Sequence, residues 1–99
     1  LFSACIKGSV SPEEAKAMLA QGARLIDVRT QREFAQSRIP GAVNIPFEHL
    51  SMRVAELGPR DSELIIYCEA GVRSARAASM LREWGFTRVY DLGPMSRWR

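Results

Sequence analysis

Leu64-Ile65-Ile66-Tyr67 is an apolar run, short enough to be a buried strand. Cys68 stands where the run ends, and Glu69 to Arg73 follow, with Gly71 among them. Ser74 then leads into alanine-rich sequence in which Ala77, Met80, Leu81 and Trp84 recur at i, i+3, i+4 and i+7, the spacing of a buried helix face. A strand that runs through a short loop straight into a helix leaves few choices of architecture. The rest of the chain repeats the alternation, which argues for an α/β fold with a parallel sheet and helices on both faces. In such sheets ligands bind where strands end and helices begin, and Cys68 lies at that place.

The other elements carry their own punctuation. Ser11-Pro12-Glu13-Glu14 is a helix start: Ser11 caps, Pro12 fits the first helical position and Glu14 completes a capping box. Ala15, Met18 and Leu19 share a face, and Gly22 fits the stop. A short strand is expected ahead of this helix, near Ile6 to Val10. Leu25 to Val28 reads as a strand interrupted by Asp27, a carboxylate that needs a partner if buried. Thr30-Gln31-Arg32-Glu33 is a second capping box, predicting a short helix through Phe34 and Ala35. Pro40-Gly41 makes a turn, and Val43 to Ile45 a brief strand ended by Pro46. Leu50, Val54 and Leu57 at i, i+4 and i+7 predict a helix over 48–56, ended by Gly58-Pro59. His49, the one histidine, falls at its start and is expected to be a solvated helix residue. Arg88 to Leu92 is the last strand.

A tight loop ahead of a helix points backbone N–H groups inward, and with the helix dipole they form a nest for an anion. Such a nest favours the thiolate of a cysteine placed in it. Gly71 lets the backbone turn sharply, and Arg73 adds a permanent cation. The expected product is a nucleophilic sulfur in a cradle shaped for anions.

Three stretches carry a family resemblance. Cys68-Glu69-Ala70-Gly71-Val72-Arg73-Ser74 resembles the active-site loop Cys-x-x-Gly-x-Arg-Ser of the rhodanese family. Leu25-Ile26-Asp27-Val28-Arg29, with Glu33-Phe34 after it, resembles the family's LIDVR…EF segment. Ile39-Pro40-Gly41-Ala42-Val43-Asn44-Ile45-Pro46 resembles its GHIPGAxNIP segment. The resemblance runs from about Val10 to Trp98 and implies a three-layer α/β/α domain with about five parallel strands. On this reading residues 1–99 form a single domain, with 1–8 a loosely ordered N-terminal segment. The implied activity is sulfur transfer. Cys68 is the catalytic nucleophile, and Glu69, Ala70, Gly71, Val72, Arg73 and Ser74 bind substrate. Arg73 is expected to orient an anionic donor, and Ser74 to cap the helix and donate to the sulfur. Asp27 and Arg29 lie in support near the loop. The donor is a small sulfur-containing anion such as thiosulfate, or a persulfide. The acceptor is cyanide in an assay, or a thiol that a small redox protein could carry. No cofactor is implied.

The chain departs from the family pattern at three places. Ser37 and Arg38 stand where the family has Gly and His, and Arg38 is expected to be a structural hydrogen-bond donor. Pro94 stands where a second Gly often follows Gly93, which stiffens that wall and removes a donor. Met95 and Trp98 either line the mouth of the site or pack on the core. Glu69 puts a negative charge beside the incoming donor, so thiosulfate is not expected to be the preferred one.

Phosphatases and arsenate reductases also use a cysteine in an anion nest closed by arginine. Those related to this fold have one more residue between the two than the four here, Glu69 to Val72. They are the alternative enzymes. A rhodanese-like binding or regulatory module is the alternative outside enzymes, and the presence of Cys68 speaks against it.

The formal charge is +3 over 99 residues, with arginines scattered and no basic run interleaved with aromatics, which argues against nucleic acid. No apolar run approaches a membrane span. Nothing in the cysteine and histidine spacing resembles a metal site. A monomer is expected. Cys5 and Cys68 make no disulfide framework. Cys5 is an inert thiol, a resolving thiol or a lipid-attachment cysteine, since Leu1-Phe2-Ser3-Ala4-Cys5 resembles the end of a bacterial lipoprotein signal. The compartment is accordingly the cytoplasm, or the periplasm if Leu1 to Cys5 is such a remnant.

Overall fold

A computed structural model of the chain describes residues 8–98. The readings placed on Cys5 and on Leu1 to Cys5 lie outside them. Four parallel strands form one sheet in the order β2-β1-β3-β4, with β1 Arg24–Asp27, β2 Val43–Asn44, β3 Glu63–Cys68 and β4 Arg88–Pro94. Helix α1 is Pro12–Ala20, α2 is Gln31–Gln36 and α3 is Val72–Glu83. No helix among the described residues is long and apolar enough to cross a membrane.

The sheet divides the core in two, as the alternation of side chains along a strand requires. Leu64, Ile66 and Cys68 point to one face, where Ala77, Ala78 and Leu81 of α3 meet them together with Leu50 and Leu57. Ile65 and Tyr67 point to the other, onto Val10, Ile39 and Ala15 of α1. The three-layer α/β/α arrangement follows. Tyr67 carries a polar tip into this second layer, where its hydroxyl accepts the Ile39 N–H at 3.1 Å and burial pushes the phenol up to about 12.

The helix starts form as their sequences dictate. Ser11 accepts the Glu14 N–H at 3.1 Å and Glu14 returns to the Ser11 N–H at 3.0 Å. Thr30 and Glu33 make the same reciprocal pair ahead of α2.

Three expectations need correction. The predicted helix over 48–56 is two 3₁₀ turns, Phe47–His49 and Val54–Leu57, with a bend between. Leu50 and Leu57 are buried as the spacing requires, but the segment must travel from the end of β2 back to the start of β3. A 3₁₀ turn rises about 2.0 Å per residue against about 1.5 Å in an α-helix, so it covers that distance with fewer residues. The expected fifth strand contributes, among the described residues, one parallel bridge from Ser9 to Asp91. Gly8 carbonyl accepts the Asp91 N–H at 2.7 Å and the Val10 N–H reaches the Asp91 carbonyl at 3.2 Å. Ile6 and Lys7 lie outside the described residues. Arg38, expected as a hydrogen-bond donor, instead lies over the Phe34 ring, 4.6 Å from its centre.

Candidate active site

The strand order makes a switch point. The chain leaves β1 for β2 on one side, then crosses back to place β3 on the other. The crevice between the carboxyl ends of β1 and β3 is where an open parallel sheet binds ligands. The sequence puts Asp27 and Arg29 at one lip and Cys68 at the other.

Cys68 is the last residue of β3 and is 1% exposed. Its Sγ accepts the Gly71 N–H at 2.9 Å and the Ser74 N–H at 3.3 Å. One donor from the residue before α3 and one from its first turn therefore converge on sulfur. Gly71 takes φ +97, which an L side chain rarely adopts, and a Cβ there would sit 3.3 Å from Pro94 Cδ. Pro94 reaches that point because β4 carries a bulge. Ile66 faces Asp91 but Tyr67 faces Gly93, so Leu92 is skipped and Cys68 lies opposite Pro94. Gly93 absorbs the bulge at φ +83, and Asp91 Oδ1 accepts its N–H at 2.9 Å. Pro94 thus walls the loop. Met95 and Trp98 pack on the α1 layer, with Lys16 over the Trp98 ring.

The Ser74 hydroxyl departs from expectation. It donates to the Gly71 carbonyl at 3.1 Å, and only the backbone of Ser74 bonds sulfur. The N-cap residue of α3, Gly71, has no side chain with which to cap it. Ala70 and Val72 project outward and are exposed.

Asp27 and Arg29 come to the loop as a buried pair, 0% and 2% exposed. Arg29 Nε and Nη2 donate to the Asp27 carboxylate at 2.8–3.1 Å, and Asp27 also accepts the Arg29 backbone N–H at 2.8 Å. Burial works against the Arg29 charge, but Asp27 holds its pKa above the ordinary value. Nη2 donates to the Ser37 carbonyl, and Nη1 reaches Glu69 at 3.2 Å. Glu69 is 63% exposed and tied to Arg29, not free beside the sulfur.

Arg73 is engaged too. Its two terminal nitrogens donate to both oxygens of Glu33, at 3.0 and 3.1 Å. The hydrogen bonds from Arg73 are the largest cause holding the Glu33 carboxyl down at about 2, and Glu33 raises Arg73 in turn. The cation expected to stand open to an anionic donor is already paired.

Two contributors went unassigned in the sequence. Glu33 is legible in the sequence as a capping residue and as part of the EF segment, with no role at the loop. Asn44 donates to the backbone carbonyls of Asp27 at 3.0 Å and Arg29 at 2.9 Å, fixing the lip that holds the buried pair. A cleft of about 440 Å³ lined by Gln31, Phe34, Asn44, His49 and Arg53 lies beside β2 and does not include Cys68.

The family model of the rhodanese-like domain matches residues 11–99. A protein of Allochromatium vinosum named sulfurtransferase is 40% identical over 68 residues, 69% of this chain and 63% of its own length. The thiosulfate sulfurtransferase PspE of Escherichia coli is 36% identical over 69 residues, 69% of this chain and 66% of its own. The chain thus spans just under two thirds of the length of either relative. The human single-domain sulfurtransferase TSTD1 superposes with a TM-score of 0.76 at 31% identity, over 86% of this chain and 88% of that one.

Proposed function

The chain belongs to the rhodanese-like domain family, and from that premise we propose that it is a sulfurtransferase carrying a sulfane sulfur on Cys68. The observation that supports this most is the pair of N–H groups on Cys68 Sγ, from Gly71 and Ser74. They offer stabilisation to a sulfur anion without asking any side chain to move. The loop's four residues between Cys68 and Arg73 make a tight cradle that suits a sulfur atom better than a tetrahedral phosphoryl group. The relatives named as sulfurtransferases support the same reading.

The cycle is ping-pong. The Cys68 thiolate attacks the outer sulfur of the donor. A bond forms between Sγ and that sulfur, the donor's own bond to it breaks, and the electron pair leaves with sulfite or a thiolate. Cys68 then carries a persulfide whose charge the inward N–H groups hold. Cyanide in an assay, or a thiolate, takes the outer sulfur, and the electron pair of the breaking bond returns to Cys68.

Intact mass after thiosulfate or cysteine persulfide, followed by cyanide, tests the cycle. One added sulfur that cyanide removes is the expected result. A chain that gains no sulfur from either donor while Cys68 still alkylates readily would sink the reading, and phosphate-ester and arsenate assays would come next.

A further inference from the structure

We propose that Glu33 sets the choice of sulfur donor: by neutralising the Arg73 guanidinium it turns the Cys68 loop against dianionic donors such as thiosulfate and toward persulfides of organic thiols. This rests on the reading of Cys68 as the sulfur carrier and names the substrate class of that site.

Two cations reach the loop, and both end on carboxylates. Arg29 is held by Asp27 and touches Glu69. Arg73 is held by Glu33 in a two-point fork that matches the planar guanidinium. The formal charges of these two arginines and the three carboxylates Asp27, Glu69 and Glu33 sum to one negative, with Cys68 left out. Glu48 adds to the negative field at Arg73. Thiosulfate brings two more negative charges. The fork uses one hydrogen of each terminal nitrogen, so thiosulfate reaches the remaining Arg73 donors only beside the Glu33 carboxylate, and Glu33 is held in place. The same Oε1 that accepts from Arg73 also accepts the Thr30 N–H at 2.8 Å, as the return bond of the α2 cap. A small organic persulfide carries at most one charge on its reacting sulfurs and meets less repulsion from that carboxylate. Glu33 outweighs Glu69 in this balance because the Glu69 side chain is 63% exposed against 31% for Glu33, so solvent screens it more.

Both loading steps balance. With thiosulfate, the thiolate takes the outer sulfur as a persulfide anion and sulfite leaves. With an organic persulfide RSSH, the thiolate takes the outer sulfur with its proton and RS⁻ leaves. Neither consumes an oxidant or a reductant.

The test is the ratio of kcat/KM for thiosulfate to that for cysteine persulfide, in the native chain, Glu33→Gln and Thr30→Ala. Glutamine at this position keeps the cap and removes the charge. Glu33→Gln should raise the ratio about fivefold, the effect of about 1 kcal/mol of interaction with one partly exposed charge. Thr30→Ala removes the cap oxygen but keeps the carboxylate, and should leave the ratio where it was. An unchanged ratio in Glu33→Gln, or an equal rise in Thr30→Ala, overturns the role of Glu33 while Cys68 still loads. Failure of both donors to load Cys68, read by intact mass, overturns the sulfur-carrier reading and this inference with it. A measurement on the native chain needs no variant: added salt should raise kcat/KM for thiosulfate, since it screens repulsion. A fall with salt would mean that the site attracts the dianion, and would overturn the proposal.

Discussion

β1 and β3 lie side by side in the sheet, and each hands the chain to a helix at its carboxyl end. The two junctions treat the exposed N–H groups of their helices in opposite ways. After β1, Thr30 Oγ1 accepts the Glu33 N–H at 3.1 Å, and Glu33 reaches back to Thr30. That helix start is closed by its own side chains. After β3, the residue before the helix is Gly71, which has no side chain to offer, and the donors turn to Cys68 Sγ. The sulfur is the cap. A helix start becomes available for chemistry when the chain withholds the side chain that would otherwise fill it. The neighbouring junction supplies the charge balance instead, through the fork from Glu33 to Arg73.

The largest test of this contrast is Cys68→Ser. The hydroxyl can still accept the two N–H bonds, so the fold should survive, but no persulfide should form. Transfer should fall by about a thousandfold or more, checked by steady-state turnover and by intact mass. Retained turnover would remove Cys68 from the chemistry. Next in size is the buried pair that pins the β1 side. Arg29→Met strands the Asp27 carboxylate at zero exposure, and should cost about 3–5 kcal/mol in denaturant unfolding. Third is Gly71→Ala. Its φ of +97 and the contact with Pro94 oppose a Cβ, so about 1–2 kcal/mol of stability should be lost, and loading should slow as the N–H groups shift. Undiminished loading would show that the turn does not hold the sulfur.

Thr30→Ala opens the closed junction and should cost about 1 kcal/mol by thermal unfolding, with Cys68 still loading. If loading failed there, the two junctions would not be separate devices. The smallest effect is in the acid limb of stability. Glu33 is depressed in the folded chain, so the unfolded chain takes up its proton first as pH falls. The stability it lends is full above about 4.5 and is lost as pH drops toward about 2. Glu33→Gln should flatten that part of the acid unfolding curve and leave the curve above pH 5 parallel to that of the native chain.

The features legible in the sequence were those written in adjacent residues. Both capping boxes and the β3 to α3 turn depend on bonds that span a few positions and appear where the pattern put them; of the predicted α3 face Ala77 and Leu81 are buried and Trp84 packs partly buried on the core, while Ala78 takes a buried place that the pattern gave to Met80. The features that were missed depend on distant partners. Glu33 and Arg73 are 40 residues apart, as are Arg29 and Glu69, and no local rule pairs them. The 48–56 segment failed for a related reason. Its apolar spacing states which residues go inside, but the path from β2 back to β3 decides the backbone that delivers them. Pro94 reads in the sequence as a stiffened wall that lacks a donor, and the β4 bulge is what brings it against Gly71.

The cradle around Cys68 is made of main chain, while the exposed loop side chains, Glu69, Ala70 and Val72, contribute none of the N–H bonds to sulfur described above. Grip and taste are thereby written in separate alphabets. Substitutions at those three positions can retune what the loop admits while its hold on sulfur stays the same. A library of these positions together with Glu33, with Gly71 and Ser74 untouched, is the economical route to a sulfur carrier of altered appetite on this scaffold.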